Sequence, residues 1–200
     1  MSETIRNEES PNLAGVLLAA GASSRLGQPK QLVNYNGVPL VCHAVSRALG
    51  FCDAGLTVVT GACHDDVFTA LDHLPVRVVF NSGWSEGIGS SIRQGVTTVG
   101  PDVRAILLMV CDQPAISSHD LRNLVNAWKC RPDRVAAAGY AGTTGVPAIF
   151  PSSLRKELQD LNGDRGAKNI IDAAEDVSVV DMPNALFDVD TPDHLDKLNG

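Results

Sequence analysis

Apolar residues in this chain fall into short unbroken runs, each followed by a polar or glycine-rich break. The first run covers residues 13–20 (LAGVLLAA) and stops at Gly21. A run without polar alternation predicts a strand buried on both faces. The same pattern predicts strands at residues 56–60, 76–80 and 105–111, the last being the most apolar stretch in the protein. Between them, apolar positions recur at helical spacing over residues 38–49, 64–71 and 90–99. Ser117-Ser118-His119-Asp120 opens a further helix, with a hydroxyl cap and an acid in the first turn. Strands at 135–139 and 146–150 flank the turn Ala141-Gly142-Thr143-Thr144-Gly145, and helices follow at 151–161 and 167–174. A last strand is expected at 177–181 or at 186–189, ahead of a short helix capped at Thr191 with Pro192 in its first position.

Strands that alternate with helices imply an α/β fold. The expectation is a three-layer α/β/α, Rossmann-like domain with a mainly parallel, mixed sheet. It should span residues 12–200, behind a disordered polar lead-in over residues 1–11. In such sheets ligands bind beyond the carboxyl ends of the strands, so the loops after Ala20, Phe80 and Cys111 are the places to search.

Composition narrows the partners. Hydrophobic residues make up 44% of the chain and aromatics only 4%, so the core is aliphatic. The formal net charge of −7 argues against a dedicated nucleic-acid binder, which carries a basic stripe. An acidic protein still binds a polyanion through a local device: a glycine-rich loop, a few cations, a metal. The cysteines Cys42, Cys52, Cys63, Cys111 and Cys130 are odd in number and form no CxxC pair, which reads as reduced thiols in a cytoplasmic protein. No apolar run approaches the ~18 residues of a membrane span, and the amino terminus does not resemble a signal peptide.

The local device stands after the first strand. Ala19-Ala20-Gly21-Ala22-Ser23-Ser24-Arg25 leads through Gly27 to Lys30. Glycine lets backbone amides approach phosphate oxygens, hydroxyls add hydrogen bonds, and Arg25 and Lys30 supply the missing positive charge. The spacing is neither that of a Walker A loop nor GxGxxG. Asp112 ends the most apolar strand and points into the same crevice, where a lone carboxylate suits Mg²⁺, an ion that takes one or two carboxylates plus substrate phosphates. Asp188-Val189-Asp190 offers a second carboxylate, because an extended segment puts positions 188 and 190 on one face. Asp190 could instead cap the last helix.

The segment from Leu18 to Lys30 resembles the signature LAAGxSxRxGxxK of the MobA-like NTP transferase superfamily, nucleotidyltransferases that activate sugars, alcohols and cofactors. That resemblance implies that Ala19, Ala20, Gly21, Ala22, Ser23 and Ser24 cradle the triphosphate while Arg25 and Lys30 neutralise it, with Arg25, Lys30 and Asp112 catalytic. Relatives ending in Asp-x-Asp-Thr-Pro make Asp190 the preferred second metal ligand, with Asp188 the alternative. A second loop carries Asn81, Trp84, Gly87, Gly89, Ser90 and Ser91; with Gly145-Val146-Pro147 and Leu161-Asn162-Gly163-Asp164-Arg165-Gly166-Ala167 it is similar to the molybdenum-cofactor cytidylyltransferase branch. By that resemblance Asn81, Gly87, Gly89, Ser90 and Ser91 face the nucleotide, while Trp84, Pro147, Asp164, Arg165 and Lys168 face the acceptor. Asp164 would also cap the next helix, whose amino terminus attracts phosphate.

The implied reaction is Mg²⁺-dependent transfer of CMP from CTP to the phosphate of molybdenum-loaded molybdopterin, releasing pyrophosphate, with a molybdoenzyme as possible client. Two alternatives stand beside it: a transferase acting on a sugar phosphate or another cofactor precursor, and a non-catalytic nucleotide-binding chaperone that hands the cofactor to an apoenzyme.

Overall fold

In β1 (Leu13–Ala19) every residue is buried, and successive side chains serve opposite layers. The computed structural model describes residues 11–191 together with Asp193 and His194. After β1 comes a two-stranded ribbon, β2 (Asn34–Tyr35) and β3 (Val38–Pro39), then α1 (Leu40–Leu49), β4 (Leu56–Thr60) and α2 (His64–Leu71). Next are β5 (Arg77–Phe80), α3 (Ile88–Thr97), β6 (Ala105–Val110), α4 (Ser118–Cys130), β7 (Val135–Tyr140) and β8 (Thr143–Pro151). The described elements end with α5 (Arg155–Gln159), α6 (Lys168–Ala173) and β9 (Val177–Asp181).

Seven strands form one sheet in the order β5-β4-β1-β6-β8-β7-β9. All run parallel except β8, which pairs antiparallel with both β6 and β7. Leu13, Leu17 and Ala19 of β1 point into an apolar layer shared with α1, α2 and α4. Ala14, Val16 and Leu18 point into the opposite layer with α3, α5 and α6. The α/β/α architecture and the mixed, mainly parallel sheet agree with the sequence pattern. Among the described residues no helix is long and apolar enough to cross a membrane.

Several boundaries differ from the sequence reading. The first helix starts at Leu40, because residues 38–39 pair with 34–35 around Asn36-Gly37, both at positive φ (52° and 79°). The stretch 151–161 breaks into a 3₁₀ turn and the short α5. The last described strand is 177–181, whereas 187–189 lies outside the sheet. Ser117 caps α4 as expected, in a reciprocal capping box with Asp120. The expected lead-in, Pro11 apart, and most of the expected last helix lie outside the described residues.

Candidate active site

β1 and β6 deliver Gly21 and Asp112 to the same end of the sheet, where parallel strands leave a crevice. The loop after β1 turns sharply at Ser23, whose φ of 54° lies in the left-handed region. Its carbonyl accepts from the amides of Leu26 (3.0 Å) and Gly27 (3.2 Å), and its hydroxyl oxygen accepts from the Lys30 amide at 3.0 Å. Among the described residues, the amides of Gly21, Ala22, Ser23, Ser24 and Arg25 donate to no protein acceptor. A row of open donors at a strand end is a cradle for anionic oxygens.

Lys30 joins the loop to the carboxylates. Its ammonium donates to Asp112 and, at 2.8 Å, to Asp190 Oδ1, across 82 and 160 residues of chain. Arg25 approaches Asp190 Oδ2 at 3.6 Å, but its side chain is 78% exposed and this pair is weak. Burial alone would lower the Lys30 pKa; the Asp112 and Asp190 carboxylates outweigh it and hold the ammonium above its ordinary range. The Lys30 hydrogen bond pulls Asp190 below the usual carboxylate range. Asp188 shifts the other way, raised by burial and by the neighbouring Asp190 and Asp112 charges.

Packing brings the carboxyl-terminal acids to this point. Val189 is fully buried in a small cluster with Leu26, Val33 and Leu40, and its amide donates to the Asp112 carbonyl at 2.9 Å. With Val189 anchored there, Asp190 reaches Lys30 and Arg25. The helix that Asp190 could cap lies mostly outside the described residues.

Among the described residues no group of three or more His, Cys, Asp or Glu side chains could hold a metal ion alone. Two carboxylates converging on one cationic point beside open amides do fit a hard divalent ion whose shell is completed by phosphate oxygens and water.

A cleft of about 310 Å³ opens beside Lys30, walled by Ala20, Gly21, Ala22, Trp84, Ile88 and Asp112 among others. A smaller one of about 140 Å³ runs past Ser23, Ser24, Arg25 and Asp190, sharing Gly21 and Lys30 with the first. Trp84 thus faces the same cleft as the loop after β1. It gets there because residue 61 is glycine: a Cβ on Gly61 would stand 2.7 Å from Trp84 Cβ. Gly87 and Ser91 also line the larger cleft.

Other residues of the second loop work inward. Asn81, 6% exposed, donates to Ser90 Oγ (2.9 Å) and Ser91 Oγ (3.1 Å) and accepts from the Gly83 amide (3.0 Å). The Ser90 hydroxyl is shared between the carbonyls of Gly83 and Gly87, both at 2.9 Å. Gly89 is a packing residue, since a Cβ there would meet Asn162 N at 2.7 Å. Asn81, Gly89 and Ser90 shape the loop from behind and do not line the two clefts.

On the expected acceptor side, Pro147 is buried after a cis bond from Val146, whose carbonyl accepts from the Gln113 amide at 3.4 Å. Asp164, Arg165 and Lys168 are exposed and line neither cleft. The expectation that Asp164 caps the next helix is corrected: α6 begins at Lys168 behind Ala167, without a side-chain cap. Asp164 lies instead against the Gly87 turn, where a Cβ on Gly87 would stand 2.7 Å from Asp164 Oδ1. Lys168 pairs with Asp172 at 2.8 Å and borders a separate groove of about 610 Å³ along the β7–β8 hairpin.

Residues 15–178 match the model of the MobA-like NTP transferase domain. The chain belongs to this family. Three relatives show its breadth. This MobA-like chain is 34% identical over 168 residues to nicotine blue oxidoreductase of Paenarthrobacter nicotinovorans, covering 79% of the chain and 80% of that protein. It is 30% identical to a probable molybdenum cofactor guanylyltransferase of Rhodopirellula baltica (92% and 90% covered) and 24% identical to the molybdenum cofactor cytidylyltransferase of Escherichia coli (89% and 91%). Among solved structures, Rv0371c of Mycobacterium tuberculosis H37Rv in complex with manganese superposes with a TM-score of 0.76 at 28% identity, covering 93% of this chain and 97% of that one.

Sequence reasoning missed two residues that shape this MobA-like site. Gly61 carries no local signal beyond ending a strand. Gln31 follows the signature lysine and is 1% exposed, and its Nε2 donates to the carbonyls of Ala19 (3.0 Å) and Gly21 (2.7 Å). A polar side chain in a turn gives no hint in sequence that it is buried.

Proposed function

We propose that this nucleotidyltransferase carries out magnesium-dependent transfer of CMP from CTP to the terminal phosphate of molybdenum-loaded molybdopterin, with release of pyrophosphate. The observation that carries the reading is the junction of Lys30 with Asp112 and Asp190 at the mouth of an amide-lined loop.

In this reading the open amides of residues 21–25 receive the triphosphate, with Arg25 beside it. Lys30 exchanges carboxylate oxygens for phosphate oxygens as the nucleotide enters. Asp112 and Asp190 would hold a divalent ion, which would supply further positive charge at the reacting phosphate. An oxygen of the acceptor phosphate attacks the α-phosphorus, the bond from that phosphorus to the β-bridging oxygen breaks, and pyrophosphate leaves with the electron pair. The acceptor oxygen is already anionic, so the protein provides position and charge, with no nucleophile of its own. The larger cleft takes the base beside Gly87 and Ile88, with Trp84 turned to the acceptor. The cytidylyl branch is supported by the loop motifs around Trp84, Pro147 and Arg165, and the guanylyltransferase relative defines the competing donor, GTP.

Pyrophosphate release measured with CTP, GTP and UTP at matched concentrations tests the reading. CTP should win when the molybdenum-loaded pterin is the acceptor. GTP as the better donor removes the cytidylyl assignment and leaves nucleotidyl transfer standing, while turnover only with a sugar phosphate replaces the acceptor. Nucleotide binding without pyrophosphate release from any acceptor would favour the carrier reading. The name of one relative supplies a further alternative, which redox turnover of nicotine blue without any NTP would favour.

A further inference from the structure

Gln31 sits beneath the phosphate loop, and both of its amide hydrogens are spent on loop carbonyls. Nε2 donates to Ala19 O at 3.0 Å and Gly21 O at 2.7 Å, and Oε1 lies 3.4 Å from the Ser23 hydroxyl. Two carbonyls at one nitrogen leave no ambiguity about which end of the amide is which. The Ser23 oxygen in turn accepts from the Lys30 amide, so a closed clip joins the two ends of the loop.

The bond to Gly21 O has a directional consequence. In a trans peptide the carbonyl and the following N–H point to opposite sides. With Gly21 O drawn inward to Gln31, the Ala22 N–H faces outward, and both residues line the cleft. Among the described residues no other group donates to the Gly21 carbonyl, and Gly21 is exposed. The opposite orientation, reached by turning ψ of Gly21 and φ of Ala22, would aim a carbonyl dipole at the phosphates.

We infer that Gln31 is a positioning residue that locks the Gly21–Ala22 peptide with its amide toward the anionic substrate. The inference rests on the reading of this loop as a phosphate cradle. Loss of Gln31 removes the donor that holds the Gly21 carbonyl inward, which frees that peptide to flip.

The test compares wild type with the near-isosteric Gln31→Met in EDTA, by calorimetric titration of inorganic tripolyphosphate and of cytidine. Wild type should bind tripolyphosphate, and Gln31→Met at least tenfold more weakly, with cytidine affinity within twofold. Unchanged tripolyphosphate affinity, or an equal loss for both probes, overturns the role of Gln31. Wild type that ignores tripolyphosphate overturns the phosphate-cradle reading and this inference with it. Gln31→Glu guards against a misfolded methionine variant: relative to wild type at each pH, its tripolyphosphate affinity should recover on acidification, as a protonated carboxyl regains one donor. A pH-independent ratio contradicts the donor role.

Discussion

The phosphate loop and the segment 161–168 both looked functional in sequence, yet they are built differently. Around the loop, charges from three distant parts of the chain meet at Lys30 and are held there by packing under Val189 and Leu26. In the second segment Asp164, Arg165 and Lys168 stay exposed, and the one ion pair, Lys168 with Asp172, is a helical i,i+4 contact of the kind worth a few tenths of a kcal/mol. Its glycine neighbours serve packing: Gly89 lies against Asn162, and Gly87 against Asp164. Charge fixed by tertiary contacts is preorganised for chemistry; charge on an exposed turn must be ordered when a ligand arrives.

The contrast breaks first at Asp112. Asp112→Asn should lower kcat at least about a hundredfold, the scale seen when one partner of transition-state charge is removed, with little change in thermal stability. Retained magnesium-dependent turnover would remove Asp112 from the mechanism. Lys30→Ala should lower kcat more than it raises the nucleotide KM, since a cation at the reacting phosphates acts differentially in the transition state. A pure KM effect would leave Lys30 as a ground-state contact.

A smaller loss is expected for Asp190→Asn, still greater than for Asp188→Asn; equal tolerance would break the link between Val189 packing and function. The pH profile sharpens this point. Asp190 has a depressed pKa, so its stabilising contribution is present above the ordinary carboxylate range and fades as pH falls through the folded value. Lys30 has a raised pKa, so its contribution is intact below the ordinary lysine range and is lost only as pH rises through its folded value. Across neutral pH both hold. Chemical denaturation should therefore show Asp190→Asn with a flatter stability curve than wild type below about pH 4.

On the other side, Gly87→Ala should act on the fold: φ is 115° and the new Cβ would be 2.7 Å from Asp164 Oδ1, so a loss of about 1–3 kcal/mol is expected in thermal melts. Wild-type stability would show that the two loops are not locked together. The smallest effect belongs to Arg165→Ala, a few-fold rise in acceptor KM at most. A large kcat defect there would mean that the exposed turn is ordered into the site during turnover.

Much of this was legible in the apolar runs. Strands fall within the runs 13–20, 56–60 and 105–111, where no charged residue interrupts, and Ser117 with Asp120 announced its helix start. What local pattern missed depends on packing. Two-residue ribbon strands at 34–39 are too short to show a period. Asp164 had the right offset for a cap, but the chain turns toward Gly87 first. The loop signature identified Lys30, while its partner 160 residues away came from the alternation around Val189 and the Asp-x-Asp-Thr-Pro resemblance. Gln31 and Gly61 matter through the atoms that close around them, which no one-dimensional pattern encodes.

The central claim is that Lys30 and Asp112 act as one unit on a nucleotide phosphate, and a double-mutant cycle in pyrophosphate release tests it most directly. Lys30→Ala, Asp112→Asn and the double variant are assayed with saturating CTP, magnesium and acceptor. If they act together, the double variant should be no slower than the worse single variant within a few-fold, as for residues that work as a set. Rate losses that multiply would mean independent sites and would contradict the account.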